Sequence, residues 1–248
     1  MRNLSTFAFL AVFIVLPTAA LGMQVICPPL VRQGVSDMAA AYTRTTGVPV
    51  TVKADVMGKI MGDIQAGPAD VVLLPANLMD TLAAGHGIKD GTRRKLGRVE
   101  IALAVRPHAA HPDISTVTKL RDALRKAGAV AYTQPGPPRN SMEAGIIDKI
   151  LHRPEFSGVR LKPMAIGSGI AALGKGEADM ALQVTPEIIF RKDVELVGPL
   201  PPELGAHIDV DAAISAGSTS TQAADFIRYL TGPQAAQDWK KFGLVSPR

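Results

Sequence analysis

The chain is poor in the residues from which specialised sites are commonly built. Of its 248 residues, 1 is cysteine, 1 tryptophan, 3 are tyrosine, 7 phenylalanine and 5 histidine. A lone Cys27 excludes an intramolecular disulfide and a Cys-rich zinc site. Only His108 and His111 are close in sequence, inside Arg106-Pro107-His108-Ala109-Ala110-His111-Pro112. The prolines prevent a helical face that would offer both rings to one ion, so no metal is expected. There is no Gly-x-Ser-x-Gly elbow, and Cys27 has no histidine beside it in sequence, so no serine or cysteine nucleophile is indicated. Aromatic residues amount to 4%. Phe7, Phe9 and Phe13 fall in the first segment. Tyr42, Tyr132, Phe156, Phe190, Phe226, Tyr229, Trp239 and Phe242 remain, mostly in helical stretches where packing accounts for them, and only Tyr132 lies at a strand end near the site expected below. A site without stacking platforms is a poor binder of sugars, nucleobases or single-stranded nucleic acid.

Long apolar runs are also scarce. One occurs, Phe7 to Leu16, preceded by Arg2, broken by Pro17 and followed by the small residues Ala20-Leu21-Gly22. At about half the roughly 20 residues a bilayer span needs, it has the pattern of a secretory leader over residues 1–22. No lipobox precedes Cys27. The mature chain is expected to be periplasmic, without membrane insertion and monomeric.

Lys and Arg total 27 against 22 Asp and Glu, a net charge of +5 that falls to +4 when Arg2 leaves with the leader. The longest basic run is Arg93-Arg94-Lys95, without interleaved aromatics, so nucleic acid is not an expected partner. The excess charge favours solubility and mildly favours anions. Apolar residues make up 47%, which excludes global disorder.

From Gln24 onward, short β-branched runs alternate with amphipathic stretches. Strands are expected at Val48–Val52, Asp70–Leu74, Val99–Val105, Ala129–Tyr132, Val159–Ile166, Asp179–Val184 and Val194–Val197. Helices are expected at Gly58–Ala66, Ala76–Ala84, Ser115–Ala127 (capped by Ser115 and closed by Gly128), Ser141–Leu151 and Ser168–Leu173. Ala223, Phe226, Ile227 and Leu230 form the i, i+3, i+4, i+7 stripe of a further helix. Such alternation predicts an α/β fold with parallel strands, whose C-terminal ends carry ligand loops. Gln134-Pro135-Gly136-Pro137-Pro138 and Gly198-Pro199-Leu200-Pro201-Pro202 are expected as stiff surface connections.

Gly167-Ser168-Gly169-Ile170-Ala171-Ala172 matches a relaxed dinucleotide fingerprint, with Glu187 at the spacing of a ribose-binding acid. The helix it opens ends at Gly174-Lys175-Gly176, too soon for a dinucleotide unit. The same stretch approaches a Walker A motif but has Gly176 where magnesium needs Ser or Thr. What remains is either a backbone nest for an anion at Gly167-Ser168-Gly169 or an ordinary Gly-rich turn. No cofactor is expected.

Several stretches together carry a family likeness: Ile64-Gln65-Ala66-Gly67-Pro68-Ala69-Asp70-Val71-Val72-Leu73-Leu74-Pro75, Ala131-Tyr132-Thr133-Gln134-Pro135, Gly176-Glu177-Ala178-Asp179 with Gln183, Val194 to Pro201, and Ala224 to Thr231 with Pro233-Gln234-Ala235-Ala236. In these the chain resembles periplasmic solute-binding proteins of the molybdate-binding type, which serve ABC importers. The resemblance implies a type II arrangement: two α/β lobes joined by two crossing hinge strands, with ligand in the cleft. Lobe one would hold residues 23–103 and 211–248, and lobe two 104–210. It implies a small anionic ligand, a possible ABC permease as partner, and ligand-binding positions at Arg32, Met57, Gly58, Lys59, Thr133, Arg139, Asn140, Ser141, Gly167, Ser168 and Gln183. Molybdate binders present Ser hydroxyls in the first two strand–helix loops. Here those loops read Cys27-Pro28-Pro29-Leu30 and Ala54-Asp55-Val56-Met57-Gly58-Lys59, and prolines lack N–H donors. An organic carboxylate, which Arg can clasp bidentately, therefore fits better than molybdate. The alternatives are an isomerase on this scaffold, similar to aconitate isomerase, with Asp55 or Glu143 as base, or a degenerate member that signals to another protein. No residue is assigned a catalytic role.

Overall fold

The computed structural model describes residues 22–55, 57–67, 69–136, 141–165 and 168–246. The leader up to residue 21, Val56, Arg139, Asn140 and Gly167 lie outside the described residues, and Met57 is described only as a helix's first residue. The first strand–helix series is β1 (Met23–Cys27), α1 (Arg32–Thr46), β2 (Val50–Ala54), α2 (Met57–Ala66), β3 (Val71–Pro75) and α3 (Ala76–Ala84). The long β4 (Arg94–Val105) leads to α4 (Val117–Lys126), β5 (Val130–Thr133), α5 (Met142–Leu151), β6 (Leu161–Met164), α6 (Gly169–Gly174), β7 (Met180–Val184) and α7 (Thr185–Ile189). The chain returns through β8 (Glu195–Pro199) and β9 (His207–Ile214) to α8 (Ala223–Thr231), α9 (Pro233–Lys241) and β10 (Leu244–Val245).

The strands run in the order β2-β1-β3-β9-β4-β7-β5-β6, with β8 and β10 also on β4. β1 is parallel to β2 and β3, and β5 to β6 and β7, as strand–helix alternation dictates. The centre departs from the all-parallel expectation. β4 pairs antiparallel with β9 over Arg94 to Glu100, and with β7 over Ile101 to Val105. β8 lines the far half of β4, from Ala102 to Val105. β4 thus carries the chain from one parallel group to the other, and β8 and β9 carry it back. Where β7 turns off into α7, β10 takes its place beside β4, with Leu244 opposite Val99.

Successive residues of β1 and β3 point to opposite faces. Val25, Cys27, Val71 and Leu73 join α1 and α8 in one apolar cluster, while Ile26, Val72 and Leu74 meet Ile60 and Ile64 of α2 and Met79 and Leu82 of α3. In the second group, Val130, Tyr132 and Leu182 pack against α4 and α5, and Ala131 and Ala181 pack against Ile170 and Leu173 of α6. Both groups are covered by helices on both faces, which buries their parallel strands.

Several local expectations change. The α4 cap is Thr116 rather than Ser115, because its Oγ1 accepts from the N–H of Lys119 three residues on, at 3.2 Å. Gly128 does not close that helix; its N–H donates to Asp179 Oδ2 at 2.6 Å. Gly198 to Pro202 is only partly a surface connection, with Pro199 and Pro202 exposed. Gly198 and Pro199 end β8, Leu200 and Pro201 are buried, and the Leu200 N–H donates to Ile101 O at 2.9 Å. Pro201 suits that buried path because it brings no donor to satisfy. Phe190 escapes the packing account of the aromatics, with 52% of its surface exposed.

Candidate functional site

The ligand positions expected from the sequence follow five strand ends, those of β1 and β2 in one parallel group and of β5, β6 and β7 in the other. From β1 the chain passes Pro28 into a 3-10 turn at Pro29–Val31 and then α1, whose N-cap, Val31, offers no side-chain acceptor. Arg32 opens α1, is exposed, and has no ion pair or side-chain hydrogen bond among the described residues. Its field reaches Cys27, whose thiol burial pushes up to about 12 while Arg32 works against that rise.

The β2 end carries Gly58 and Lys59. Gly58 is exposed, and a Cβ there would meet nothing within 4 Å. The Lys59 ammonium lies 2.9 Å from Asp55 and 3.0 Å from Asp63, and Asp63 also binds Lys53 at 2.5 Å. These hydrogen bonds, Asp55 foremost, raise the ammonium above its ordinary range, and those from Lys53 and Lys59 hold the Asp63 carboxyl below its own. Lys59 is therefore the middle of a surface chain of alternating charges.

The three strand ends of the second group lie side by side. Thr133 ends β5 and is 2% exposed, and its Oγ1 is buried without a hydrogen-bond partner. Tyr132 pairs with Leu182, so Thr133 and Gln183 stand side by side one step further along parallel strands. Gln183 is 3% exposed, and its Oε1 accepts from the Val184 N–H at 2.9 Å. Gly169 opens α6 directly above: a Cβ there would sit 2.9 Å from Thr133 N and 3.2 Å from Thr133 Oγ1. That glycine, placed in the sequence within a nucleotide-like fingerprint, is required by the approach of α6 to β5. Ser168 offers α6 no side-chain cap, and α6 spans only six residues. Ser141 caps α5, its Oγ accepting from the Ala144 N–H at 3.3 Å. The Tyr132 ring, by contrast, is buried and donates its hydroxyl to Asp148 at 3.1 Å, so it serves the α5 interface rather than a ligand.

β7 turns directly into α7, which packs against β7, β4, β8 and the 3-10 turn at Pro29–Val31. The first loop of one group and the last of the other thus touch. Gly243, at φ 79°, lets the C-terminal segment approach Pro186, where a Cβ would be 3.0 Å from the proline nitrogen. Glu187 lies on α7. Burial pushes its carboxyl above the ordinary range, Glu143 of α5 pushes the same way, and Arg191 opposes. Glu187 entered the sequence reading only through its distance from Gly167. Its local signal is the Pro186-Glu187 start of a helix immediately after a buried strand.

The structure thus brings Thr133, Gln183 and Gly169 together, with Ser141 capping the next helix. It places Arg32 and Lys59 on the other group's strand ends. A cavity of about 220 Å3, lined by Thr92, Arg94, Ile214, Ala224, Ile227 and Arg228 among others, lies instead toward the N-terminal end of β3, because Ile214 pairs with Val71. Among the described residues, no three His, Cys, Asp or Glu side chains group as metal ligands, and no helix is long and apolar enough to cross a membrane.

Two helix-covered parallel groups, joined through antiparallel crossing strands and facing each other by their C-terminal loops, define a binding protein of the type II periplasmic fold. The chain belongs to the bacterial extracellular solute-binding protein family, whose model matches residues 23–245. It is 27% identical over 229 residues to an aconitate isomerase of a Pseudomonas species, covering 85% of this chain and 82% of that one. It is 22% identical over 217 residues to the molybdate-binding protein ModA of Escherichia coli K12, covering 84% and 83%. The periplasmic molybdate-binding protein of Azotobacter vinelandii superposes with a TM-score of 0.69 at 17% identity, covering 91% of this chain and 100% of that one. L-phospholactate-bound PEB3 superposes with a TM-score of 0.66 at 17% identity, again covering 91% and 100%.

Proposed function

We propose that the mature chain is a periplasmic receptor that captures a small organic anion, a di- or tricarboxylate, and delivers it to an ABC importer. The observation that carries this reading is the Thr133 hydroxyl, buried without a partner at the C-terminal edge of β5 beside Gln183. An unpaired buried hydroxyl costs about 1–3 kcal/mol, a cost that an acceptor oxygen of a ligand would remove. The cleft lies between lobe one, residues 23–103 with 211–248, and lobe two, residues 104–210. The exchange of β4 partners from β9 to β7 between Glu100 and Ile101 supports a crossing there. Arg32, without an ion pair among the described residues, supplies a guanidinium from lobe one, and Gly58 and Lys59 lie at the second loop, where the sequence also placed Met57. Ser141 and Ser168 stand on the lobe-two side; Arg139, Asn140 and Gly167, expected there from the sequence, lie outside the described residues. The preference for a carboxylate over molybdate rests on the first loop, where Pro28 and Pro29 offer no N–H to a tetrahedral oxyanion. Likeness to an aconitate isomerase points the same way.

Isothermal titration with molybdate, tungstate, sulfate, citrate and trans-aconitate tests the reading. Saturable heat with a carboxylate supports it; heat with molybdate or tungstate alone overturns it. A second reading, an isomerase of tricarboxylates with Asp55 or Glu143 as base, is favoured by the likeness to an aconitate isomerase. Ultraviolet monitoring of cis- and trans-aconitate interconversion separates the two: turnover supports the enzyme, and binding without turnover removes it.

A further inference from the structure

The Gln183 amide is held in one orientation by its own strand. Its Oε1 accepts from the Val184 N–H at 2.9 Å, and only the oxygen of an amide can meet an N–H. The Nε2 end, with its two N–H groups, is the end left over. It donates to none of the described residues, although Gln183 is only 3% exposed. The one sealed side-chain atom without a partner among the described residues is Thr133 Oγ1, so Nε2 keeps an opening to solvent. Ala131 and Ala181 face α6, and Thr133 and Gln183, two residues further along each strand, share that face. Gly169 agrees, since a Cβ there would be 3.2 Å from Thr133 Oγ1. On its other side Gln183 pairs with Ala102 of β4, whose methyl group offers no acceptor. Neither α6 nor β5 carries a charged residue. The charged positions nearest on the other elements packed against β7 are Glu100, two residues before Ala102 on β4, Glu187 on α7, and Glu143, Asp148 and Lys149 on α5. Asp148 is engaged by the Tyr132 hydroxyl.

We infer that Gln183 is the specificity-determining residue of this edge: held as a pure donor beside Thr133, it selects a ligand carboxylate that has lost its proton. The inference rests on the carboxylate-receptor reading above. In that reading Arg32 supplies countercharge, and Gln183 adds a direction that charge alone lacks. An ionised carboxylate has only accepting oxygens, so it takes an N–H from Gln183 and the O–H from Thr133 together. Hydrogen bonds to an ionised acceptor are roughly twice as strong as neutral ones. A carboxyl that keeps its proton, or a carboxamide, brings a donor that only the Thr133 oxygen can meet, and the shared arrangement is lost.

Q183E tests this polarity, because a glutamate of the same shape keeps one oxygen for the Val184 N–H and turns the other toward the ligand. Titration calorimetry with trans-aconitate and citrate, between about pH 5 and 8.5, reads the affinity, and thermal melts check the fold of each variant. At about pH 8 Q183E should bind at least about 10- to 100-fold more weakly than wild type. That gap should narrow by up to about tenfold per pH unit on acidification, because two facing carboxylates bind only by sharing a proton. Q183M, which keeps the length but neither donates nor accepts, should lose about 10- to 100-fold by the same factor at every pH. A Q183E gap that stays constant with pH, or no gap, overturns the role of Gln183 and leaves the receptor reading intact. If the introduced charge prevents Q183E from folding, Q183M still decides, since full affinity in it overturns the role. No binding of trans-aconitate or citrate by the wild type overturns both.

Discussion

Gly169 lies so close over Thr133 that a Cβ on it would stand 2.9 Å from the Thr133 nitrogen and 2.9 Å from the Tyr132 carbonyl carbon. Both obstacles are backbone of a buried strand, so neither can swing aside. G169A should therefore lift the start of α6, cost about 1–3 kcal/mol, and weaken anion binding. Thermal melts should show it at about 2–4 °C per kcal/mol for a chain of this size. Gly62 provides the control, because it lies within α2 and a Cβ there meets nothing within 4 Å. G62A should be neutral or stabilise by about 0.4–1 kcal/mol. Equal loss in both variants would contradict a special role for the Gly169 contact.

Thr133 makes a prediction with opposite signs in the free and bound states. T133V keeps the branched shape and removes a buried hydroxyl that has no partner. The ligand-free protein should be as stable as wild type or more so, since a desolvated orphan group is lost. Affinity for the carboxylate should fall by about 1–3 kcal/mol, roughly 5- to 150-fold. Melting and calorimetry on the same preparation read both signs. A variant that loses stability but keeps full affinity would place the hydroxyl outside the site.

Much of this architecture was legible because it is local. The continuous apolar run at Asp70–Leu74 matches β3 within a residue at each end, and Ala76–Ala84 matches α3 at both ends. The helix expected from Ser141 to Leu151 is α5 with Ser141 as its cap, whereas one helix earlier the cap is Thr116 and not the expected Ser115. Two adjacent hydroxyl residues compete for a cap, and only the backbone angle decides. The antiparallel centre was not legible. Arg94 pairs with Ala212 and Ile101 with Val184, contacts between segments far apart in sequence that leave no local period. The site followed the same division. Thr133 and Gln183 were expected from the family likeness, and the strands that carry them to one edge, β5 and β7, are themselves legible in the sequence. Glu187 is pushed above its ordinary range by burial and by Glu143 of α5, neither of which is written in its neighbours.

Arg98 and Asp209 face each other directly across β4 and β9 and join through two hydrogen bonds, at 2.7 and 3.0 Å. Arg98 is the main reason the Asp209 carboxyl is held below its ordinary range. A depressed carboxyl contributes stability above its unfolded value and loses it as pH falls through the folded one. D209N should therefore lower the melting temperature at pH 7 by the equivalent of about 0.5–1 kcal/mol, a modest amount because both side chains are partly exposed. The difference from wild type should vanish on acidification to about pH 2, well below the ordinary carboxylate range. A difference that persists undiminished at that pH would mean the asparagine disrupts the crossing strands for another reason.

Cys27 closes β1 at the mouth of the first loop, where a reactive thiol would be easy to imagine. It is fully buried, and burial pushes its thiol up to about 12 despite Arg32 nearby. At pH 8 only about one part in ten thousand would be thiolate, the form that attacks disulfides and alkylating agents. Native protein should leave Ellman's reagent almost uncoloured for hours at pH 8, and guanidinium should release one reactive thiol per chain. The rate in native buffer then measures how often the β1 end opens. Adding a carboxylate that holds α7 against the Pro29–Val31 turn should slow it further, by the factor through which ligand favours the closed form. Rapid modification of the native, ligand-free chain would show instead that the first loop leaves β1 uncovered, and with it that the proline-lined wall is not a fixed part of the site.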